Sequence, residues 1–166
     1  MVEKKFVIDG MKLSYTGPFE ITEFYKKINE WISKRGKEKE IKKKSEHVNP
    51  TGKNIEWSLE IWEDVTDYAR NIVRINALFN NVKEVQIKKE KRKRRLNKGS
   101  VLITFDGIME TDIQGKWSQK PMFTFLKTIV DKFIWKHHLN KIEDQLDADV
   151  HELYDVLTDF FNGYKL

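Results

Sequence analysis

The sequence has 166 residues, a formal net charge of +5 and 39% apolar residues, which suits one globular domain that buries a core. It contains no cysteine, which excludes disulfides and thiolate metal sites, and its 12% aromatic content argues against disorder. No apolar run of about 18 residues is present, and the first ten residues are too charged for a signal peptide. We therefore expect a cytoplasmic protein.

The N-terminal third predicts a strand, a helix and an exposed strand. Residues 5–15 alternate imperfectly between apolar and polar, and residues 16–18 (TGP) are expected to end this strand and open a helix. The helix extends to about Arg35 because apolar residues repeat every three or four positions, and Gly36 suits its end. The lysine-rich stretch 37–48 is typical of an edge strand.

The middle of the chain predicts further strands. Residues 49–52 (NPTG) indicate a turn before a half-buried strand at 54–63. The next segment, 64–79, fits both a helical stripe and the alternation of a strand, and we favour a strand from about Tyr68. Asn80 and Asn81 would then form a hairpin turn, because asparagine tolerates the left-handed conformation.

The most conspicuous segment is 88–98, KKEKRKRRLNK, which holds eight basic residues and one acid. Its net charge of +7 leaves −2 for the rest of the chain, so the basicity is local. Strand-like segments flank it at 82–92 and 101–111, and 98–100 (KGS) is expected to turn the chain. We predict a long hairpin with a cationic outer half and a mobile tip, since like charges repel.

This basic run predicts an anion-binding surface. It suits the phosphates of nucleic acid, because each neutralised phosphate releases counterions, and it also suits an anionic membrane or an acidic protein. It contains no aromatic residue, which argues against base stacking, and a solvated tip without a partner is the third interpretation. The predicted anion-binding residues are Lys88, Lys89, Lys91, Arg92, Lys93, Arg94, Arg95 and Lys98.

The C-terminal part is helical in pattern. Residues 122–162 contain neither Gly nor Pro, and Pro121 can open a helix before them. We favour two helices that meet at 138–141 over one bent helix, because typical helices are shorter than this segment. Residues 141–166 carry a net charge of −5, which could neutralise the basic segments within the chain or across a homodimer.

Signatures of catalysis are absent from the sequence. It has no Gly-rich phosphate loop and no GxSxG, HExxH or Walker-type pattern. Asp147, His151 and Asp155 share one face of the last helix, but such residues on an acidic face are more often solvated than metal-binding. We therefore favour a non-enzymatic protein and predict no catalytic residue, no metal and no cofactor.

Apolar and aromatic residues on the predicted inner faces indicate either a plain core or a ligand cavity between sheet and helix. Small-molecule pockets are commonly apolar and concave, and such an interface can form one. The predicted cavity residues are Trp31, Trp57, Leu59, Ile75, Phe105, Phe123, Phe133 and His137.

The order of elements resembles the helix-grip superfamily, the START or Bet v 1-like proteins. The helix start at 16–18, the strand around Trp57, the turn at Asn80 and Asn81 and the helix from Pro121 carry this resemblance over residues 5–139. It implies a curved antiparallel sheet around a long C-terminal helix, often with an enclosed hydrophobic ligand. The chain departs from the family in two ways. It is expected to have a second C-terminal helix, and it lacks the family's Gly-rich loop between early strands, for which residues 49–52 are the only counterpart.

We predict an α+β fold in one domain, residues 1–166. A single antiparallel sheet of about five to six strands occupies about 1–117, with one helix after strand 1, and a C-terminal helical pair at about 121–163 packs on the sheet. The predicted function is non-enzymatic binding of a hydrophobic or amphiphilic, lipid-like molecule, with the cationic hairpin docking on an anionic surface. The alternatives are a nucleic-acid-binding accessory protein and a homodimeric interaction module joined through the C-terminal helices.

Overall fold

The computed structural model describes residues 3–89, 92–111 and 136–164. These residues form one five-stranded sheet in the order β1-β5-β4-β3-β2, and every neighbouring pair is antiparallel. The predicted α+β class, single antiparallel sheet and helix after the first strand are therefore confirmed. The elements are β1 (Glu3–Phe19), α1 (Ile21–Lys34), β2 (Glu38–Asn49), β3 (Gly52–Thr66), β4 (Ala69–Lys89), β5 (Arg92–Thr111) and α2 (Lys136–Asn162).

The core lies on one face of the sheet, which we call the inner face. Alternate residues of the central strands, such as Leu59, Ile75 and Phe105, are almost completely buried there. Apolar residues of α1 and α2 belong to the same cluster, so both helices cover this face. The opposite face, which we call the open face because neither α1 nor α2 covers it, carries charged side chains such as Glu60 and Arg74, which lie 3.1 Å apart.

Helix α1 forms as predicted at its end but not at its start. The Arg35 N–H donates to the Trp31 carbonyl, and Gly36 adopts a left-handed φ of 64°, which ends the helix. The predicted start at 16–18 is wrong, because β1 continues through these residues and Pro18 pairs with Lys98. Proline is acceptable here since β1 is an edge strand.

Strand β2 confirms the predicted edge strand. Among the described strands it pairs only with β3, and nearly all of its residues are exposed. Lysines on this edge discourage pairing with another sheet. The predicted turn before β3 is also confirmed, as a two-residue loop at Pro50 and Thr51.

Segment 64–79 holds the end of β3, a turn at Asp67 and Tyr68, and β4 from Ala69, so the strand favoured from about Tyr68 is confirmed, but the predicted turn at Asn80 and Asn81 is wrong. Asn81 has a left-handed φ of 55°, yet it lies in a β-bulge where the pairing of β4 with β5 shifts between Asn80 and Lys83. The left-handed conformation of Asn81 therefore belongs to an extra residue within β4 and not to a turn, and the strand continues to Lys89.

The predicted turn at 98–100 is likewise wrong. Strand β5 already begins at Arg92 and passes through these residues. Gly99 is required by close packing instead, because a Cβ there would lie 2.9 Å from the Asn80 carbonyl oxygen. The predicted connection between the two strands, residues 91–99, is therefore wrong from Arg92 onward, and residues 90 and 91 lie outside the described residues.

Helix α2 is continuous from Lys136 to Asn162, so the predicted boundary between two helices at 138–141 is wrong. Leu139, Ile142 and Leu146 continue one apolar stripe across this point, and neither Gly nor Pro interrupts it. The first helix of the predicted pair falls mostly on residues 112–135, which are not described. Neither of the two described helices combines the length and apolarity needed to cross a bilayer.

A buried ion pair attaches α2 to the rest of the fold. Lys37 Nζ lies 2.9 Å from Asp149 Oδ2 and 2.6 Å from Glu63 Oε2, and the Lys37 and Asp149 side chains are only 4% and 2% exposed. Gln145 Nε2 donates to Asp149 Oδ1 at 3.0 Å. Loss of one partner would leave an uncompensated charge in the interior, which typically costs about 3–5 kcal/mol.

We expect Asp149→Ala to lower the free energy of unfolding by about 3 kcal/mol, the lower end of that range, because Glu63 still pairs with Lys37. Asp155→Ala is the matched control, since it removes an exposed carboxylate from the same helix and should change stability by less than about 0.5 kcal/mol. Urea unfolding with an unchanged m-value measures both effects. Equal stabilities of the two variants would contradict the anchoring role.

Candidate functional site

The hairpin of β4 and β5 extends beyond the other strands. The pairing of β1 with β5 stops at Asn97, and the pairing of β3 with β4 stops at Val82. From the pair Lys83–Lys98 outward, β4 and β5 continue to pair with each other as far as Lys89 and Arg92, and β1 still pairs with β5 at Lys98 and Asn97. We call residues 83–89 and 92–98 the ribbon, whose seven residues per strand span about 20 Å.

The ribbon concentrates positive charge. Residues 83–98 include nine basic and two acidic residues, a net charge of +7. The register places Lys83 opposite Lys98 and Lys88 opposite Lys93. Directly opposed like charges destabilise a strand pair, so an anionic partner would relieve repulsion that the backbone pairing imposes.

The predicted anion-binding residues lie on paired strands and not in an open loop. Lys88 and Lys89 belong to β4, whereas 92–95 and Lys98 belong to β5. Arg95 and Lys98 are exposed. Lys91 lies outside the described residues. The sequence shows where along the chain the basic residues lie. The pairing of β4 with β5 determines which of them stand opposite one another.

Cations elsewhere on the sheet contrast with those of the ribbon. Lys43 Nζ lies 2.9 Å from Glu56, and Arg70 Nε lies 2.7 Å from Asp64, where the hydrogen bond from Arg70 lowers the pKa of the carboxyl group. Among the described residues, no carboxylate lies within ion-pair distance of the side chain of Lys83, Arg95 or Lys98. This part of the surface is therefore available to an external anion.

Sequence analysis missed residues at the base of the ribbon. A cleft of about 450 Å³ on the open face joins Lys98 to Lys83 and to three hydroxyl groups from different segments. Lys83 precedes the basic run and is separated from it by four residues (EVQI), so no local charge pattern marks it. The lining residues are Thr16, Thr51, Asn81, Lys83, Val85, Lys98, Gly99 and Ser100.

Five predicted cavity residues come together in the core: Trp31, Trp57, Leu59, Ile75 and Phe105. Their neighbours are other core side chains, since the Trp57 ring lies 5.0 Å from Tyr25 and the Phe105 ring 5.6 Å from Tyr154. None of the four surface clefts whose lining is described includes any of the five.

The other three predicted cavity residues do not join this cluster. His137 is exposed on α2, so its predicted place in the apolar arc is wrong. Phe123 and Phe133 lie outside the described residues. Ligand binding between sheet and helix thus stays a prediction.

On the acidic face of α2, His151 contacts the residue one turn before it, Asp147. His151 Nδ1 lies 2.8 Å from the Asp147 carbonyl oxygen and 3.5 Å from its carboxylate. Within residues 3–89, 92–111 and 136–164, no cluster of three side chains suited to a metal ion occurs.

No protein-family model matches the chain, and no curated protein matches it significantly. Function is therefore inferred from the geometry and charge of the ribbon.

The register itself predicts an effect of charge reversal. Lys88→Glu would convert the Lys88–Lys93 pair into an attractive one and stabilise the ribbon by about 0.5 kcal/mol. Lys12→Glu makes the same charge change on β1 opposite Thr104 and should give the ribbon no gain. Amide hydrogen exchange of residues 84–87 and 94–97 should slow about twofold in Lys88→Glu alone. Identical exchange in the two variants would contradict the register.

Proposed function

We propose that the protein binds double-stranded nucleic acid through the ribbon. The supporting observation is the net charge of +7 on a two-stranded element that projects beyond the sheet. A two-stranded β-ribbon fits the major groove of B-DNA, which is about 12 Å wide. The ribbon's length of about 20 Å lets it follow phosphates on both sides of such a groove.

The contacts that the ribbon offers are mainly to phosphate. Its basic residues are lysine and arginine, and residues 83–98 contain no aromatic side chain that would stack on bases. Phosphate contacts position a protein and supply affinity without selecting a sequence. The proposed activity is therefore binding with little sequence preference and strong salt dependence.

The distribution of charge supports an oriented approach. Residues 141–166, which include most of α2, carry a net charge of −5, and α2 covers the inner face of the sheet. A polyanion would attract the ribbon and repel this helix, so the ribbon leads the encounter.

Other functions predicted from the sequence have less support in the described geometry. A lipid-like ligand in a sheet–helix cavity rests on aromatic residues that pack against one another in the described part of the core. The helix-grip resemblance and a homodimer joined through the C-terminal helices stay proposals. An anionic membrane presents phosphate groups, as nucleic acid does. Binding assays with a duplex and with vesicles distinguish these two partners.

A fourfold substitution tests the proposal. Replacing residues 92–95 (RKRR) with glutamine should weaken binding to a 20-base-pair duplex by at least about tenfold at low salt. It should also reduce the slope of log K against log salt by about 3 to 4, because each lost phosphate contact removes about one counterion. Fluorescence anisotropy over about 50–300 mM KCl measures both.

The matched control replaces four exposed lysines away from the ribbon with glutamine: Lys4, Lys12, Lys26 and Lys34. It removes the same charge and should retain most of the affinity and slope. Equal losses in both variants would overturn a specific role of the ribbon. Binding to vesicles that contain phosphatidylserine, with none to the duplex, would assign the surface to membranes instead.

A further inference from the structure

The base of the ribbon has the features of an anion pocket. Here the bulge of β4 between Asn80 and Lys83 brings β1, β4, β5 and the loop before β3 around one cleft on the open face. The cleft has a volume of about 450 Å³, which is within the range of small-molecule sites. None of its lining residues is acidic.

Two lysines dominate the cleft. Lys83 and Lys98 are direct partners in the β4–β5 register, so their Cβ atoms lie about 5 Å apart, on the same side of the sheet. Both are exposed, and no carboxylate in the described part of the chain pairs with either. The bulge shifts the alternation of β4, which places Lys83 beside Lys98 and turns Val82 into the core.

Hydroxyl groups complete the cleft. Thr16 Oγ1 and Ser100 Oγ lie 3.4 Å apart across the β1–β5 pair. Thr51 Oγ1 donates to Asn81 Oδ1 at 3.3 Å from the other side. Two ammonium groups with neutral O–H donors around them match a phosphate, whose oxygens accept hydrogen bonds and whose charge is near −2 as a monoester.

We propose that this cleft binds a phosphomonoester group, through Lys83 and Lys98 as the charged contacts and Thr16 and Ser100 as hydrogen-bond donors. The site is separate from the tip of the ribbon and does not depend on duplex binding. The phosphate can come from a small phosphorylated molecule or from the phosphorylated end of a nucleic-acid strand, because both present the same dianion.

The test uses the full chain with inorganic phosphate and adenosine monophosphate as probes. Titration should shift the amide NMR signals of Thr16, Lys83, Lys98 and Ser100 saturably and should raise the melting temperature. Lys83→Gln with Lys98→Gln should weaken binding at least tenfold. This variant should be as stable as the original protein without ligand, because it removes a repulsive pair.

The control is Lys26→Gln with Lys34→Gln, which removes the same charge from two exposed positions on α1, outside both the ribbon and the cleft. It should leave phosphate affinity within about twofold. Equal weakening in both double variants, or unshifted amides at the cleft, would overturn the proposal.

A second pair of probes identifies the source of the phosphate. If a duplex with 5′-phosphates binds more tightly than the same duplex with 5′-hydroxyls, and Lys83→Gln with Lys98→Gln removes the difference, strand ends are the source. If adenosine monophosphate binds and the two duplexes do not differ, a small phosphorylated molecule is the source. Phosphate binding is measured without nucleic acid, so it can succeed where duplex binding through the ribbon fails.

Discussion

The pairing of β4 with β5 is the interaction on which the rest of the structure depends. It extends from Ala69–Thr111 to Lys89–Arg92 through the centre of the sheet. Its inner part presents Ile75 and Phe105 to the helices, and its outer part forms the ribbon. Because side chains alternate between faces, a slip by one residue would expose the core and bury charge, so the buried inner part sets the register for the whole hairpin.

The same pairing joins a stable region to a repulsive one. Burial of apolar side chains under α1 and α2 stabilises the inner part of the hairpin, whereas the outer part holds opposed cations. A disordered basic loop would keep its charges apart and would have to order them on binding. A ribbon continuous with the sheet presents them already arranged, which reduces the entropy lost when a polyanion binds.

Predictions from local pattern succeeded where burial on one face decides the structure. The α1 stripe, the half-buried β3 and the lysine-rich edge β2 all follow from periodicity and composition. The errors about the strands share one cause: Asn81, Gly99 and Pro18 are residues that turns favour, but each lies within a strand. A left-handed asparagine suits a turn and a bulge equally, and only the partner strand decides between them. Likewise, the apolar periodicity predicted correctly that Trp57 and Phe105 are buried. It could not distinguish a packed core from a ligand cavity, because the same apolar residues would line both.

The amino-acid sequence is enough to establish that the charge is local, which faces are apolar and that thiol chemistry is absent. These properties depend on composition and on the spacing of near neighbours along the chain. The three-dimensional fold was needed to show that the basic run belongs to two paired strands and that Lys83 lies beside Lys98. The register of a hairpin depends on which distant residues are buried together, and the bulge at Asn81 then sets which side of the sheet each later residue faces.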